Sequence, residues 1–526
     1  MTQQAQQTEL TVPDATVYET LFGSLTESDL QRVAIVEGGS GAALTFGELR
    51  DRVDAFAGWL AARGVAPGDV VGLIAPNGPG FAIAFHGILR AGATATTLNA
   101  LHTAREIGNQ LSDAHAVALV TVSPLLERAR PAAERLGIAA ERLVVLDGAE
   151  GHPSLADVLE EGSRAPDVHL DPATHLAVLP YSSGTTGHPK GVMLTHRNLV
   201  ANVEQCGAIG VEGDDVVLAV LPFFHIYGMT VLLNYALLHR ARLVTMPRFD
   251  LAEFLRLVEE HRITWLFIAP PIAVALAKHP AVDGVDTSSV KAVFSGAAPL
   301  DRHLADSVAD RLGCAVAQGY GMTEASPVTH VTDWTDPDVD RASVGRPVAG
   351  TEVRLVAAGG ADVEPPASGP SEPGEVWIRG PQVMVGYLGR PEETAATLDA
   401  DGWLHTGDLA TVDDAGVYRI VDRLKELIKY HGYQVAPAVL EAVLLEHPQI
   451  ADAAVIGGRD EDGQEIPQAF VVRQAGSQVT AEQVMAFVAE RVAPHEKVRA
   501  VEFIDAVPKS ASGKILRREL RTPAAP

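Results

Sequence analysis

Short apolar runs alternate with amphipathic stretches along the first 300 residues, and this alternation restricts the fold more than any other feature. A predicted helix at 49–63 precedes a predicted strand at 70–75, and a second helix is predicted at 80–91. Short strands between helices indicate parallel sheets with helices on both faces. We therefore predict an α/β fold with doubly wound parallel sheets, whose further strands lie at 117–122, 143–146, 176–179, 216–221, 242–246, 265–269 and 292–295.

The pattern changes after about residue 345. Apolar stretches between glycine and proline turns predict antiparallel strands at 351–356, 374–379 and 417–421, which we assign to a small β-barrel or ribbon. Residues 423–526 follow as a compact α+β unit. A chain of 526 residues exceeds what one hydrophobic core organises. We predict domains at 1–421 and 422–526, the first divided into subdomains at about 15–175, 176–345 and 346–421.

A glycine- and hydroxyl-rich stretch carries the first functional signal. Residues 181–191 read Tyr-Ser-Ser-Gly-Thr-Thr-Gly-His-Pro-Lys-Gly, directly after an apolar run. Small residues let several backbone N–H groups point at one anion, and ligands of α/β sheets bind where strands end. The stretch lacks the Gly-Lys-Ser/Thr ending of a Walker A loop. The alternative is a flexible surface loop, but the Pro-Lys-Gly ending and a helix start at 195–198 favour phosphate binding.

Composition and charge exclude several classes of function. The formal net charge of −26 disfavours nucleic acid as a partner. Two cysteines, Cys206 and Cys314, fit a reducing cytoplasm better than a disulfide framework. The N-terminus lacks the features of a signal peptide. The uncharged run 216–238 contains Pro222 and Asn234, so we expect a buried strand, loop and helix there and no membrane span.

Five further motifs stand in a fixed order with this loop, at 221–228, 319–324, 402–408, 422–429 and 508–514. In order and spacing, the six resemble the acyl-adenylate-forming (AMP-binding) superfamily. The similarity is strong to 4-coumarate/cinnamate–CoA ligases and related acyl-CoA synthetases of actinobacteria, and it covers about residues 15–521. It implies a two-step reaction, in which a carboxylate attacks ATP to give acyl-AMP and CoA then displaces AMP.

The resemblance implies a set of nucleotide-binding residues. Glu324, with Thr186, is the expected Mg²⁺ ligand, because Mg²⁺ takes few carboxylates and keeps phosphate and water ligands. Asp408 would accept hydrogen bonds from the ribose hydroxyls, supported by Arg423. Gln318, Gly319 and Tyr320 would flank the adenine, with core packing as the alternative for Tyr320. The ATP phosphates and their surroundings are assigned to Ser182, Ser183, Gly184, Thr185, Thr186, Lys190, Thr323 and Lys425.

The resemblance also assigns residues that act in one step. Lys514 would bridge the carboxylate and the α-phosphate, and a rotation at the hinge Asp422 would then remove it. Lys429 and Gln434 match residues that contact the adenylate, and His225 would lie near the path of the thiol. For His225 a hydrogen-bonded histidine at a strand end is the alternative.

The expected CoA contacts are Arg248, His431 and Gly432. His431 stands where the family commonly has lysine, and the Pro-Tyr-Lys segment reads Pro-His-Glu at 494–496. Both changes weaken the positive charge expected near CoA.

The expected acyl pocket has no lysine or arginine in its wall, which predicts an uncharged substrate tail. Val231 replaces a serine seen in plant coumarate ligases, which favours cinnamate and 4-coumarate over caffeate. A medium-chain fatty acyl-CoA synthetase and an enzyme that loads a carrier-protein phosphopantetheine remain alternatives. We expect ATP, Mg²⁺ and CoA as cofactors or substrates, and a monomer or homodimer. The predicted wall contains Tyr227, Val231, Ala297, Gly319, Pro327 and Val331.

Overall fold

The computed structural model describes residues 10–182, 189–431, 433–460, 464–510 and 513–521. Within these ranges, two large mixed sheets carry helices on their faces, and smaller sheets follow towards the C-terminus. The helices are Val17–Phe22, Glu27–Leu30, Phe46–Ala62, Pro79–Arg90, Ala104–Asp113, Leu126–Arg135, Leu155–Glu161, His196–Gln205, Tyr235–Leu238, Leu251–Glu260, Pro270–Lys278, Arg302–Leu312, Pro391–Thr397, Pro437–Leu445, Ala481–Ala489 and Arg517–Arg521.

The first sheet has a parallel centre with antiparallel strands at both edges. Its central strands are buried along their whole length, as expected where helices cover both faces. The described strands, in spatial order, are Arg346–Pro347, Val328–Val331, Ala315–Gly321, Ala292–Ser295, Trp265–Ile268, Val216–Ala219, Arg242–Thr245, Val33–Glu37 and Ala43–Thr45.

The second sheet is parallel except at the edge that carries the glycine-rich loop. There Tyr181–Ser182 pairs antiparallel with Lys190–Thr195. Thr195 then caps the helix His196–Gln205 in a capping box with Asn198, as the sequence predicts. In spatial order the described strands are Gly386–Tyr387, Lys190–Thr195, Leu176–Val178, Thr94–Thr97, Val70–Leu73, Ala116–Thr121 and Leu143–Val145.

The region predicted as a β-barrel forms a third sheet, of four antiparallel strands in its described part. These strands are Glu352–Val356, Gly374–Arg379, Leu404–Val412 and Tyr418–Arg423. In the register of the last pair, Asp408 lies opposite Arg423. Strand pairing thus brings two predicted ribose contacts together, although fourteen residues separate them in the chain.

The C-terminal part has its own sheets and its own apolar core. A hairpin joins Ile428–Tyr430 to Tyr433–Val435, and a mixed sheet contains Ile450–Arg459, Glu465–Arg473 and Ala500–Phe503. Its buried apolar cluster is drawn from residues 428–498, separate from the large cluster of the preceding sheets. Asp422, where we predict the domain boundary, is the second-to-last residue of the strand Tyr418–Arg423. The exact boundary stays a prediction.

The uncharged run at 216–238 folds as the sequence predicts. It gives the buried strand Val216–Ala219, a loop, the π-helical turn Gly228–Asn234 and the short helix Tyr235–Leu238. No helix in the described ranges is both long enough and apolar enough to cross a membrane.

Candidate active site

A pocket opens at the carboxyl ends of the parallel strands of the first sheet, where α/β folds usually bind ligands. The empty space at this site is about 520 Å³, counted together with the solvent at its open mouth. Most of its wall is apolar, and Lys514 lies at one side. The lining residues are Ile209, His225, Ile226, Tyr227, Val231, Phe294, Gly296, Ala297, Gly319, Tyr320, Gly321, Met322, Thr323, Pro327, Val328 and Lys514.

The position of the Tyr227 ring sets the shape of this pocket. Its hydroxyl donates to the backbone carbonyl of Phe294, at 3.2 Å. The ring lies against Gly296, where an added Cβ would come within 2.9 Å of it. Real Cβ atoms do not approach so closely, so the ring fits only because residue 296 has no side chain.

Asp408 forms the centre of the predicted ribose contact. Its buried carboxylate accepts a hydrogen bond of 2.6 Å from the Tyr320 hydroxyl and pairs with Arg423 Nε at 3.0 Å. Burial raises the pKa of Asp408 above its ordinary value, while Arg423 opposes this shift. Two partners leave acceptor capacity on the carboxylate for a ligand diol. Tyr320 therefore lines the pocket and also orients Asp408.

Glu324, Ser182 and Lys190 come together beside the glycine-rich loop. Glu324 accepts hydrogen bonds of 2.9 Å from the Ser182 hydroxyl and from the hydroxyl of Tyr387. The ammonium of Lys190 lies 4.7 Å from the centre of the Tyr387 ring. The predicted loop residues Ser183, Gly184, Thr185 and Thr186 lie outside the described residues.

The donors beside this loop fit Mg²⁺. Among the described residues no cluster of three metal-binding side chains occurs, so Glu324 would act as a single carboxylate ligand. Mg²⁺ prefers this arrangement, because phosphates and water supply its other oxygens.

Lys514 and His225 face the same cavity although 288 residues separate them. Burial and the nearby Arg423 lower the pKa of Lys514, while Asp408 and Glu324 oppose this shift. Burial and Lys514 lower the pKa of His225 to about 3. His225 is thus a neutral imidazole, and its Nδ1 accepts from the backbone N–H of Tyr227 at 3.3 Å. It carries no charge that would repel Lys514.

The other residues expected to act in single steps lie elsewhere. Lys429 and Gln434 are exposed and directly opposite each other on the hairpin at 428–435. His431, Lys425 and Arg248 are also exposed. None of the five belongs to the described pocket wall, and Gly432 lies outside the described residues.

Asp422, the predicted hinge, is buried. Its carboxylate accepts from the backbone N–H groups of Arg423 at 2.7 Å and Ala438 at 2.9 Å. Burial raises its pKa to about 6.

Two predicted contacts need correction. Val331 lies outside the pocket wall, because its buried strand pairs with the back of the wall at Gly319. The Gln318 side chain bonds both backbone groups of Leu300, at 2.9 and 2.7 Å. It therefore braces the strand against Leu300, and its place beside the adenine stays a prediction.

Sequence reasoning also missed five residues of the described pocket wall, and Tyr387 of the second sheet, which bonds Glu324. Ile226 lies inside the motif at 221–228, whereas the others come from segments that carry no motif: Ile209, Phe294, Gly296, Val328 and Tyr387.

The fold and the site define an enzyme that activates acids with ATP, and sequence comparison agrees. The family model described as AMP-binding enzyme matches residues 25–388, and the AMP-binding enzyme C-terminal domain matches residues 439–514. The chain belongs to this family, as the motifs predict. It is 43% identical over 502 residues to 4-coumarate–CoA ligase 5 of Oryza sativa subsp. japonica, covering 93% of this chain and 91% of the relative. It is 40% identical to 4-coumarate–CoA ligase 1 of Solanum tuberosum, covering 95% and 92%.

Solved structures show the same architecture. ATP-bound MatB from Rhodopseudomonas palustris superimposes with a TM-score of 0.87 at 28% identity, covering 97% of this chain and 98% of that chain. A benzoate CoA ligase from Burkholderia xenovorans LB400 gives 0.86 at 27% identity, covering 97% and 100%. The predicted α/β fold with a smaller C-terminal domain is thereby confirmed.

Proposed function

We propose that this chain is an ATP-dependent acid–CoA ligase acting on aryl-propenoic acids of the 4-coumarate and cinnamate type. The observation that carries the proposal is the placement of Lys514 in the wall of an apolar pocket, close enough to Asp408 for their charges to interact. A carboxylate in this pocket and a nucleotide held by Asp408 would meet at the lysine.

The first step needs charge neutralisation, because a carboxylate attacks a polyanion. The carboxylate oxygen bonds to the α-phosphorus and pyrophosphate leaves. Lys514 offsets the charge where the two anions meet, and Asp408 and Tyr320 fix the ribose. Bound Mg²⁺ at Glu324 would neutralise phosphate charge. In the second step the CoA sulfur bonds to the acyl carbon and AMP leaves.

The pocket supports an uncharged, planar substrate tail. Its side walls are Tyr227, Val231 and Phe294, and Lys514 is the only charged residue in the described lining. Relatives named 4-coumarate–CoA ligase at 40–43% identity support the same substrate class. Val231 offers no hydrogen-bond partner to a second phenolic hydroxyl, which favours cinnamate and 4-coumarate over caffeate.

We also propose an arrangement of two domains and assign residues to the step that follows adenylation. The C-terminal domain begins at Asp422 and rotates between steps. Its own apolar core at 428–498 supports movement as a unit. Rotation would bring the exposed hairpin with Lys429, His431 and Gln434 to the pocket, where Arg248 would meet CoA. The two free cysteines, Cys206 and Cys314, support a cytoplasmic location.

The test is pyrophosphate release with cinnamate, 4-coumarate, caffeate, benzoate and C6–C12 acids, with and without CoA. We expect the highest kcat/KM with cinnamate or 4-coumarate and thioester product only when CoA is present. A preference for the alkyl acids would instead indicate a medium-chain fatty acyl-CoA synthetase. Turnover with a phosphopantetheinylated carrier but not with CoA would identify a carrier-loading enzyme.

A further inference from the structure

The helix Pro270–Lys278 of the first large domain contacts the C-terminal part of the chain at both of its ends. At its start, Gly513 packs against Ala269 and Pro271. At its end, the Lys278 ammonium donates to the backbone carbonyls of Leu445 and Ile450, at 3.4 and 3.3 Å. The pocket wall does not include this helix in the described residues, so substrate contact does not account for these interactions.

The contact at the start of the helix leaves no space for a side chain on Gly513. A Cβ there would lie 3.1 Å from Ala269 Cβ and 3.1 Å from Pro271 Cδ. Gly513 also has a φ of +84°, which other residues rarely adopt. Because Gly513 precedes Lys514, the closeness of this contact sets how far the lysine reaches into the pocket.

The contact at the other end lies about 12 Å away, since each helical residue rises about 1.5 Å. Lys278 meets the carbonyl of Leu445, the last residue of the helix Pro437–Leu445. Helix C-termini carry partial negative charge, which favours a cation. One contact alone would leave the C-terminal part free to pivot, whereas two contacts on one rigid helix fix its orientation.

Residues close to Lys514 in the chain are bonded to the same strand that Lys278 contacts. Lys509 pairs with Asp452 at 2.6 Å, two residues after the carbonyl of Ile450. Ser510 and Lys514 are joined by a backbone hydrogen bond of 2.8 Å. These bonds link Lys514 to the strand Ile450–Arg459, whose first residue accepts from Lys278.

We propose that the helix Pro270–Lys278 is the docking element for the adenylation orientation, with Gly513 and Lys278 as positioning residues at its two ends. The inference rests on the proposed two-step function. Both contacts break when the C-terminal domain rotates, so they serve acyl-AMP formation and leave thioester formation untouched.

The test measures the two half-reactions separately, as pyrophosphate release with acid and ATP, and as thioester formation from supplied acyl-AMP and CoA. Gly513→Ala should slow the first about tenfold or more, because strain and crowding oppose docking. Gly476→Ala is the matched control: Gly476 lies in the same domain with a φ of +80° and has no neighbour within 4 Å of an added Cβ. It should leave both half-reactions unchanged.

Lys278→Met tests the other end of the helix Pro270–Lys278, because this substitution leaves the backbone next to Lys514 unchanged. We expect a three- to tenfold loss of adenylation, full thioester formation and rescue by Lys278→Arg. Arg262→Met, which removes an exposed charge from the same domain, should change neither rate. Equal effects of Lys278→Met on both half-reactions, or none on either, would overturn the proposal. A wild-type enzyme that forms no acyl-AMP from any acid would instead refute the proposed function.

Discussion

The ribose side of the pocket and the hairpin at 428–435 hold their predicted site residues in opposite ways. Asp408 is buried and fixed by Tyr320 and Arg423. Lys429 and Gln434, in contrast, are exposed and lie opposite each other on the two strands of the hairpin. On the proposed two-step function, a group needed in both steps can be fixed permanently. A group needed in one step must be able to leave, and Lys429, Gln434 and the buried Lys514 all lie in the part of the chain that we propose rotates.

The strongest test of this comparison is Lys514→Ala. We propose that Lys514 acts in the first step only, so adenylation should fall by roughly 10²–10³ while thioester formation from supplied acyl-AMP is largely retained. Pyrophosphate release and thioester absorbance measure the two steps. Lys497→Ala, in the same domain but outside the pocket wall, is the control. An equal loss in both steps would contradict the assignment of Lys514 to one step.

Asp408→Ala should affect both steps, because the nucleotide stays bound through the reaction. Hydrogen bonds to charged groups contribute roughly 1.5–3 kcal/mol, so the KM for ATP should rise about ten- to a hundredfold. The KM for the acid, measured in the same assays, should change much less and serves as the internal control. An unchanged KM for ATP would remove Asp408 from the nucleotide site.

His431→Lys probes the exposed side. If this hairpin meets CoA, a fixed positive charge should lower the KM for CoA about two- to fivefold at low salt, through electrostatic steering of a polyanion. The gain should shrink near physiological ionic strength, where exposed charges are screened beyond roughly 8 Å. The KM for ATP should not change. An unchanged KM for CoA at low salt would show that His431 does not lie near bound CoA. A phosphopantetheinylated carrier protein would then be tested as the acceptor.

Asp422→Asn should give the smallest effect, on stability. The carboxyl has a pKa of about 6 in the folded chain against 3.8 ordinarily, so the folded state binds its proton more tightly. The stability linked to that proton is complete below pH 3.8 and is lost as pH rises through about 6. Asparagine does not ionise. The Tm of the variant relative to wild type should therefore be about 2–4 °C higher at pH 7.5 than at pH 5. A difference in Tm that does not change with pH would show that burial does not raise the pKa of Asp422.

Much of the fold was predictable, because short apolar runs that alternate with amphipathic helices have one common solution, a parallel sheet covered by helices. The strands Ala292–Ser295 and Gly374–Arg379 match their predicted bounds, and most others differ by one to three residues. The short edge strands Tyr181–Ser182 and Gly386–Tyr387 were not predicted. Two residues contain no periodicity, and their pairing depends on a neighbour far along the chain.

A motif predicts chemistry, whereas packing decides which way a side chain points. Lys514, Asp408 and Glu324 were assigned from their motifs, and the structure places each beside residues assigned to the same site, while their roles stay predictions. Gln318 belongs to the same motif as Gly319 and Tyr320, which line the pocket, but its own side chain bonds Leu300. Alternation along a strand sends adjacent residues to opposite faces, and sequence alone does not say which face a ligand occupies.

The contact of the Tyr227 ring with Gly296 determines which changes of substrate range are open to this chain. A single substitution at Tyr227 or Val231 can widen or reshape the cavity while the backbone stays in place. Position 296 offers no such route, since every other residue would have to displace the ring and its bond to Phe294. Activity towards other acids should therefore come from substitutions that shorten the side chains lining the cavity. A search for such variants can leave residue 296 unchanged.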